Sequence, residues 1–151
     1  MLRDILTEDM IQINIATSNW EEAIKQSAKP LEVSGKITKQ YTDSMIKTIK
    51  DLGPYIVIMP GVALAHARPG DSVKADSIAL TTLSEPVYFG SKHNDPVHTI
   101  FTFATKSEKG HLRFIQNLAM FLSEDSNIEK LKESNSKQEI LQIIKKSSIE
   151  D

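Results

Sequence analysis

No cysteine stands anywhere in the 151 residues, so a thiol nucleophile, a thiolate metal site and a disulfide are all excluded. Four histidines, His66, His93, His98 and His111, are the first side chains to weigh for chemistry near neutral pH. His66 lies in Gly61-Val62-Ala63-Leu64-Ala65-His66-Ala67-Arg68-Pro69, where small neighbours leave an imidazole edge open to a protein-sized partner. One chemistry that suits such a ring is phosphoryl transfer to nitrogen. It needs a neutral imidazole with one lone pair aimed at phosphorus and the other nitrogen held as a donor, so that the tautomer is set. The other reading of His66 is a ring that closes a strand with a backbone hydrogen bond.

A loose phosphoryl transition state spreads charge over its oxygens, so catalysis is mostly positioning plus donors around them. Gly110-His111 opens a predicted helix, whose first backbone N–H groups together with the His111 ring would cradle such oxygens. Alternatively, His111 is a polar residue in a solvated first turn. Arg68 follows His66 by two residues, so on extended chain both side chains point the same way. Its planar fork suits a phosphate oxygen, and the other reading is an exposed loop arginine. His93 and His98 flank the Asn94-Asp95-Pro96 turn and read as a surface and a strand-face histidine, with no role assigned.

The elements that must position these groups follow from hydrophobic spacing. Ser18-Asn19-Trp20-Glu21 has capping-box spacing, and Trp20, Ala23, Ile24 and Ala28 share a helical face, predicting a helix from Asn19 to Lys29 that Pro30 and Gly35 end. Thr38 caps a second helix with Tyr41, Met45, Ile49 and Leu52 on its buried stripe, stopped at Gly53-Pro54. Tyr55 to Met59 is a continuous apolar run that reads as a central strand covered on both faces. After Pro60-Gly61 the chain is apolar again to Ala67 apart from His66, which places His66 where extended chain meets loop. Ser77 to Leu83 and Val97 to Ala104 read as strands, with Pro86 to Gly90 a short segment between them, and Met10 to Ile15 as a half-exposed edge strand. Ser107 caps a helix carrying Leu112, Ile115, Leu118, Ala119 and Leu122. Ser126 to Glu129 and Ser136 to Glu139 repeat the capping-box spacing ahead of two closing helices. The expectation is one α/β domain spanning 1–151, a mixed sheet of about five strands flanked by helices on both faces.

Bulk properties fit that expectation. Forty per cent hydrophobic residues suffice for a single core, and a formal charge of -2 provides no basic field for nucleic acid or anionic lipid. Arg3, Asp4, Glu8 and Asp9 interrupt the first ten residues, so they lack the apolar core of a secretory signal. Tyr55 to Ala67 is broken by Pro60-Gly61 and falls short of the roughly 20 residues a membrane span needs. A soluble protein of a reducing cytoplasm is expected.

Residues 53 to 69, G-P-Y-I-V-I-M-P-G-V-A-L-A-H-A-R-P, resemble the segment around the phosphorylated histidine in the mannitol/fructose-type IIA family of the sugar phosphotransferase system. The H-A-R-P ending is nearest to the ascorbate-specific members. The likeness extends from the Ser18-to-Ala23 helix start through Leu83 to Gly90 and Asn94 to Val97 as far as Gly110-His111-Leu112, nearly the whole chain. It implies that His66 takes a phosphoryl group from phospho-HPr as a tele-phosphohistidine and donates it to a cysteine of a IIB protein. It implies also that His111 assists, and that a membrane IIC component is served indirectly. No cofactor or metal is implied. Two departures stand out. The proline usual before the active histidine is Ala65 here, which frees φ and restores an N–H. The arginine that mannitol-type members carry on the preceding helix is absent, since residues 41 to 52 offer only Lys47 and Lys50, and Arg68 is the candidate to take its place.

A rim of Val62, Leu64 and Met59 beside His66 would suit transient docking, with core burial the other reading. A surface patch at the ends of the helices could serve either a second copy of the chain or a partner, so a homodimer stays open. The alternative function is a regulatory, nitrogen-type IIA-like protein whose phosphorylation state controls a partner. A two-histidine metalloenzyme lacks any H-x-x-x-H or H-E-x-x-H spacing. The transported sugar or sugar acid belongs largely to the membrane component, so ascorbate rests on likeness.

Overall fold

The computed structural model describes residues 2–147, and Met1 and residues 148–151, part of the expected 1–151 domain, lie outside the described residues. In chain order the elements are α1 (Leu2–Ile5), a 3-10 turn (Glu8–Met10), β1 (Ile11–Ile15), α2 (Trp20–Val33), α3 (Lys39–Leu52), β2 (Val57–Met59), β3 (Val62–Ala65), β4 (Ser77–Val87), β5 (Val97–Ala104), α4 (Glu108–Leu122), α5 (Asp125–Glu133) and α6 (Lys137–Ser147). The strands form one five-stranded mixed sheet in the order β1-β4-β5-β3-β2. β1 runs parallel to β4 and β3 parallel to β5, whereas β4 with β5 and β2 with β3 are antiparallel.

Helices cover both faces, as the alternation of strand side chains requires. Phe101 and Phe103 of β5 meet Phe121 and Phe114 of α4. On the opposite face Thr81, level with Ile100, accepts a hydrogen bond from Gln12, whose amide also reaches the Gln26 carbonyl of α2 at 2.7 Å. That second bond resolves a local conflict. Pro30 does not end α2, contrary to the expectation, but lies inside it, and having no N–H it leaves the carbonyl four residues back without its helical partner. Gln12 fills the gap from β1, and the helix continues to Val33.

Other expectations need correction. The run from Tyr55 to Met59 is not a central strand: only Val57–Met59 is extended, it forms the sheet edge, and Ile58 is exposed. The strand buried throughout is β3 beyond the Pro60-Gly61 turn, because Gly61 at φ +81° reverses the chain into an antiparallel pair. Leu52, Leu112 and Ala119 are exposed rather than core-facing, and the buried stripe of α4 is Phe114, Leu118, Phe121 and Leu122. The first capping pair is Asn19 with Glu22, one residue later than the spacing suggested, and the N-cap position of α5 is Glu124, which makes no side-chain cap bond, rather than Ser126. β4 continues through Pro86 to Val87, and α1 and the 3-10 turn were not foreseen. β1 is the predicted edge strand, Ser107 caps α4 through the Gly110 N–H, and Ser136 caps α6 through the Glu139 N–H. Among the described residues no helix is long and apolar enough to cross a membrane.

Candidate active site around His66

β3 ends at Ala65, and His66 is the first residue past the ladder that pairs it with β5. Its Nδ1 lies 2.8 Å from the Leu64 carbonyl oxygen. A carbonyl only accepts, so the proton sits on Nδ1 and the lone pair is left on Nε2. The backbone bond of one sequence reading thus leaves free the lone pair that the other reading requires. The ring stacks on Phe103 at 5.0 Å, with Tyr55 edge-on at 5.8 Å and the His111 ring at 5.2 Å. Burial against these rings pushes the His66 pKa below the usual imidazole value. The bond to Leu64 opposes that shift, and the neighbouring His111 charge adds to it. The imidazole is accordingly neutral at pH 7.

An open cleft of about 640 Å³ lies over the ring. Its walls are Ser44, Thr48 and Leu52 of α3, then Tyr55, then Ala67, Arg68 and Pro69 of the loop after β3, and Glu108 with His111 at the start of α4. His66, Arg68 and His111, the three sequence-predicted site residues, thus share one cleft. Arg68 is exposed and forms no ion pair among the described residues. Lys47 and Lys50 of α3 are elsewhere, on Asp51 at 2.8 Å and on Glu21 at 3.5 Å, so Arg68 carries the one permanent positive charge among the lining residues.

The α4 terminus differs from the expectation. The Gly110 N–H donates to Ser107 Oγ and the His111 N–H to the Ser107 carbonyl, so these two amides serve the helix and are not free for an anion. What His111 presents to the cleft is its ring. The helix start is anchored by Asp76, which accepts the Lys106 N–H at 2.7 Å. A Cβ at position 110 would sit 3.1 Å from Asp76 Oδ2, so glycine permits that approach.

The rim residues expected from sequence are also corrected: Val62 and Leu64 are buried in the sheet, and the apolar side chains exposed at the cleft are Leu52 and Tyr55. His93 is exposed, and His98 bonds Thr99 Oγ1 at 2.6 Å with its ring over Gly61; neither lines the cleft. Among the described residues no group of three or more His, Asp or Glu is placed to hold a metal ion.

Sequence reasoning missed Tyr41. It was read only as part of an apolar stripe, yet its hydroxyl accepts the Ala67 N–H at 2.9 Å and donates to the Phe103 carbonyl at 2.8 Å. Burial raises its pKa to about 12, so it stays protonated. The signal was available, since a tyrosine on a buried face must find a partner for its hydroxyl.

The fold and the histidine-floored cleft define the class. This chain belongs to the EIIA 2 family of the phosphoenolpyruvate-dependent sugar phosphotransferase system, whose model matches residues 4–147. It is similar to the ascorbate-specific PTS system EIIA component of Salmonella choleraesuis (strain SC-B67), 30% identical over 149 residues that cover 97% of each chain. Among solved structures it resembles the mannitol-specific cryptic phosphotransferase enzyme IIA CmtB of Escherichia coli, with a TM-score of 0.87 and 29% identity over 96% of this chain and 98% of that one. Escherichia coli enzyme IIAMtl, solved in complex with phosphorylated enzyme IIBMtl, shares the fold at TM-score 0.82 with 22% identity, over 94% and 99% of the two chains.

Proposed function

We propose that this protein is a cytoplasmic phosphocarrier that accepts a phosphoryl group from phospho-HPr on His66 Nε2 and passes it to a IIB component, serving uptake of a sugar acid of the ascorbate type. The observation that carries the reading is the His66 ring, tied at Nδ1 to the Leu64 carbonyl and left with a lone pair on Nε2 in an open cleft. In the accepting step Nε2 attacks phosphorus, the N–P bond forms and the bond to the donor's leaving group breaks. The proton stays on Nδ1, donated to the Leu64 carbonyl oxygen, and that bond stabilises the charge the ring acquires. In the donating step a thiolate of the IIB partner attacks phosphorus, the S–P bond forms, and the electron pair of the breaking N–P bond returns to Nε2.

Positioning and charge supply the catalysis. Arg68 neutralises the phosphoryl oxygens with a guanidinium not engaged in an ion pair among the described residues, and the His111 ring donates to them from the far wall. The IIB partner is supported by the complex of the similarly folded Escherichia coli enzyme, and the ascorbate branch by the likeness to the ascorbate-specific Salmonella component at 30% identity. Incubation with labelled phosphoenolpyruvate, enzyme I and HPr, followed by mapping of the acid-labile phosphate, tests the first step. Label on any residue but His66 refutes it. Label that stays on the protein when a IIB partner is supplied refutes the carrier role and favours a regulator.

A further inference from the structure

The backbone around His66 is held less by its own strand than by a side chain from another layer. The β3–β5 ladder stops at Ala65 opposite Thr102, so His66 and Ala67 lie beyond its last pair. Residue 65 is alanine, whose φ is not locked as a proline's would be. At this point the Tyr41 hydroxyl stands between the two strands, in the order Ala67 N–H to hydroxyl oxygen to Phe103 carbonyl, at 2.9 and 2.8 Å. One oxygen atom therefore replaces a direct ladder bond. The strands are held together but wider apart, and the chain carrying His66 leaves the sheet towards the cleft.

We propose that Tyr41 is a positioning residue for phosphoryl transfer: its hydroxyl extends the ladder by one rung and so holds His66 with Nδ1 on the Leu64 carbonyl and Nε2 facing the cleft. The inference rests on the carrier reading of His66 and deepens it. Leu64 and Ala67 flank His66 on either side; the ladder holds the first, and the hydroxyl holds the second. With the second released, the His66 backbone turns about Ala65 and the Nδ1 bond loses its alignment. Phe103 links the two effects, because its carbonyl accepts the hydroxyl's hydrogen bond while its ring stacks on the imidazole at 5.0 Å. The phenol belongs to α3, so that helix sets the geometry of a histidine that lies 25 residues later in the chain.

The test is Tyr41→Phe, which keeps the ring and deletes the hydroxyl. In nitrogen-15 histidine spectra the parent protein is expected to hold His66 as a single Nδ1–H tautomer. The variant is expected to show a mixture, and to accept phosphoryl from phospho-HPr more slowly by on the order of tenfold to a hundredfold, the scale of a misplaced reacting atom. A variant that keeps the single tautomer, or that accepts phosphoryl at the parent rate, overturns the proposal. Ile140→Val in α6 is the control for general loosening, and a scrambled His66 tautomer there also overturns it. If Tyr41→Phe does not fold, amide exchange in the parent protein decides. Protection of the Ala67 N–H comparable to that of Leu64 supports the clamp, and exchange as fast as at exposed Arg68 overturns it. The tautomer measurement needs no phosphate, so failure of His66 to become labelled would sink the carrier reading and leave the clamp separately judged.

Discussion

Replacing Gly61 by alanine probes the turn that aims β3, and hence His66, at the cleft. Two independent penalties arise. Gly61 has φ +81°, a left-handed conformation that costs an L-residue about 1–2 kcal/mol. A Cβ there would also lie 2.5 Å from His98 Cδ2 and Nε2, well inside contact distance. Relief requires the imidazole to move, and it is tied through Nδ1 to Thr99 Oγ1 at 2.6 Å. Overpacking of this kind adds about 1–3 kcal/mol. Against these, alanine reduces the freedom of the unfolded chain and returns about 0.4–1 kcal/mol. At the middle of these ranges the net loss is about 3 kcal/mol, which at this chain length lowers Tm by about 6–12 °C. Chemical denaturation of Gly61→Ala, His98→Ala and the double variant measures it. Truncating His98 removes the steric part, so the double variant should be more stable than the sum of the single losses by about 1–2 kcal/mol, within the range of coupling between touching residues. Strictly additive losses would mean that the ring does not press on Gly61, and the account of the turn would be wrong.

Other expectations concern the site. Because burial and His111 hold the His66 pKa below the ordinary imidazole value, phosphoryl acceptance should persist as pH falls past the point where a free histidine protonates, and drop only below it. In that window the unfolded chain binds more protons than the folded one, so the stability His66 contributes is complete above the unfolded pKa and lost as pH falls through the depressed folded one. Rates and denaturation midpoints measured against pH check both, and acceptance that fails already at the ordinary histidine pKa contradicts the burial argument. Arg68→Ala should slow acceptance by about 10- to 100-fold, the scale of a lost charge-assisted hydrogen bond, while leaving the unfolding midpoint unchanged because the side chain is exposed; an unchanged single-turnover rate removes Arg68 from the mechanism. His111→Ala should still become phosphorylated but pass the group on slowly, and should raise the His66 pKa by removing a repelling charge. Normal onward transfer in that variant excludes His111 from the donating step.

Much of the architecture was legible because local chemistry suffices for it. Periodic apolar residues mark α2, α3 and α4, and Ser107 and Ser136 mark helix starts through bonds made within one turn. Pro30 and Tyr55 to Met59 were misread for one reason: whether a proline stops a helix, or an apolar run lies in the middle of a sheet, depends on partners distant in sequence. Gln12 supplies the missing bond to α2 from β1, and β3 takes the inner place that the apolar run seemed to claim. Leu112 and Ala119 fit helical spacing as well as Phe114 and Phe121 do, and only the position of β5 decides which side of α4 is buried.

The site divides along the same line. The amino-acid order by itself identified His66 as a ring among small side chains at a strand end, with Arg68 two residues on, because both statements concern near neighbours along the chain. It also placed His111 in the first turn of a capped helix. Tertiary structure alone decided that His111 stands 5.2 Å from His66 and that Tyr41 bridges Ala67 to Phe103. Which nitrogen of His66 keeps its lone pair was likewise decided there, since a tautomer follows from the single carbonyl a folded backbone brings within reach of the ring.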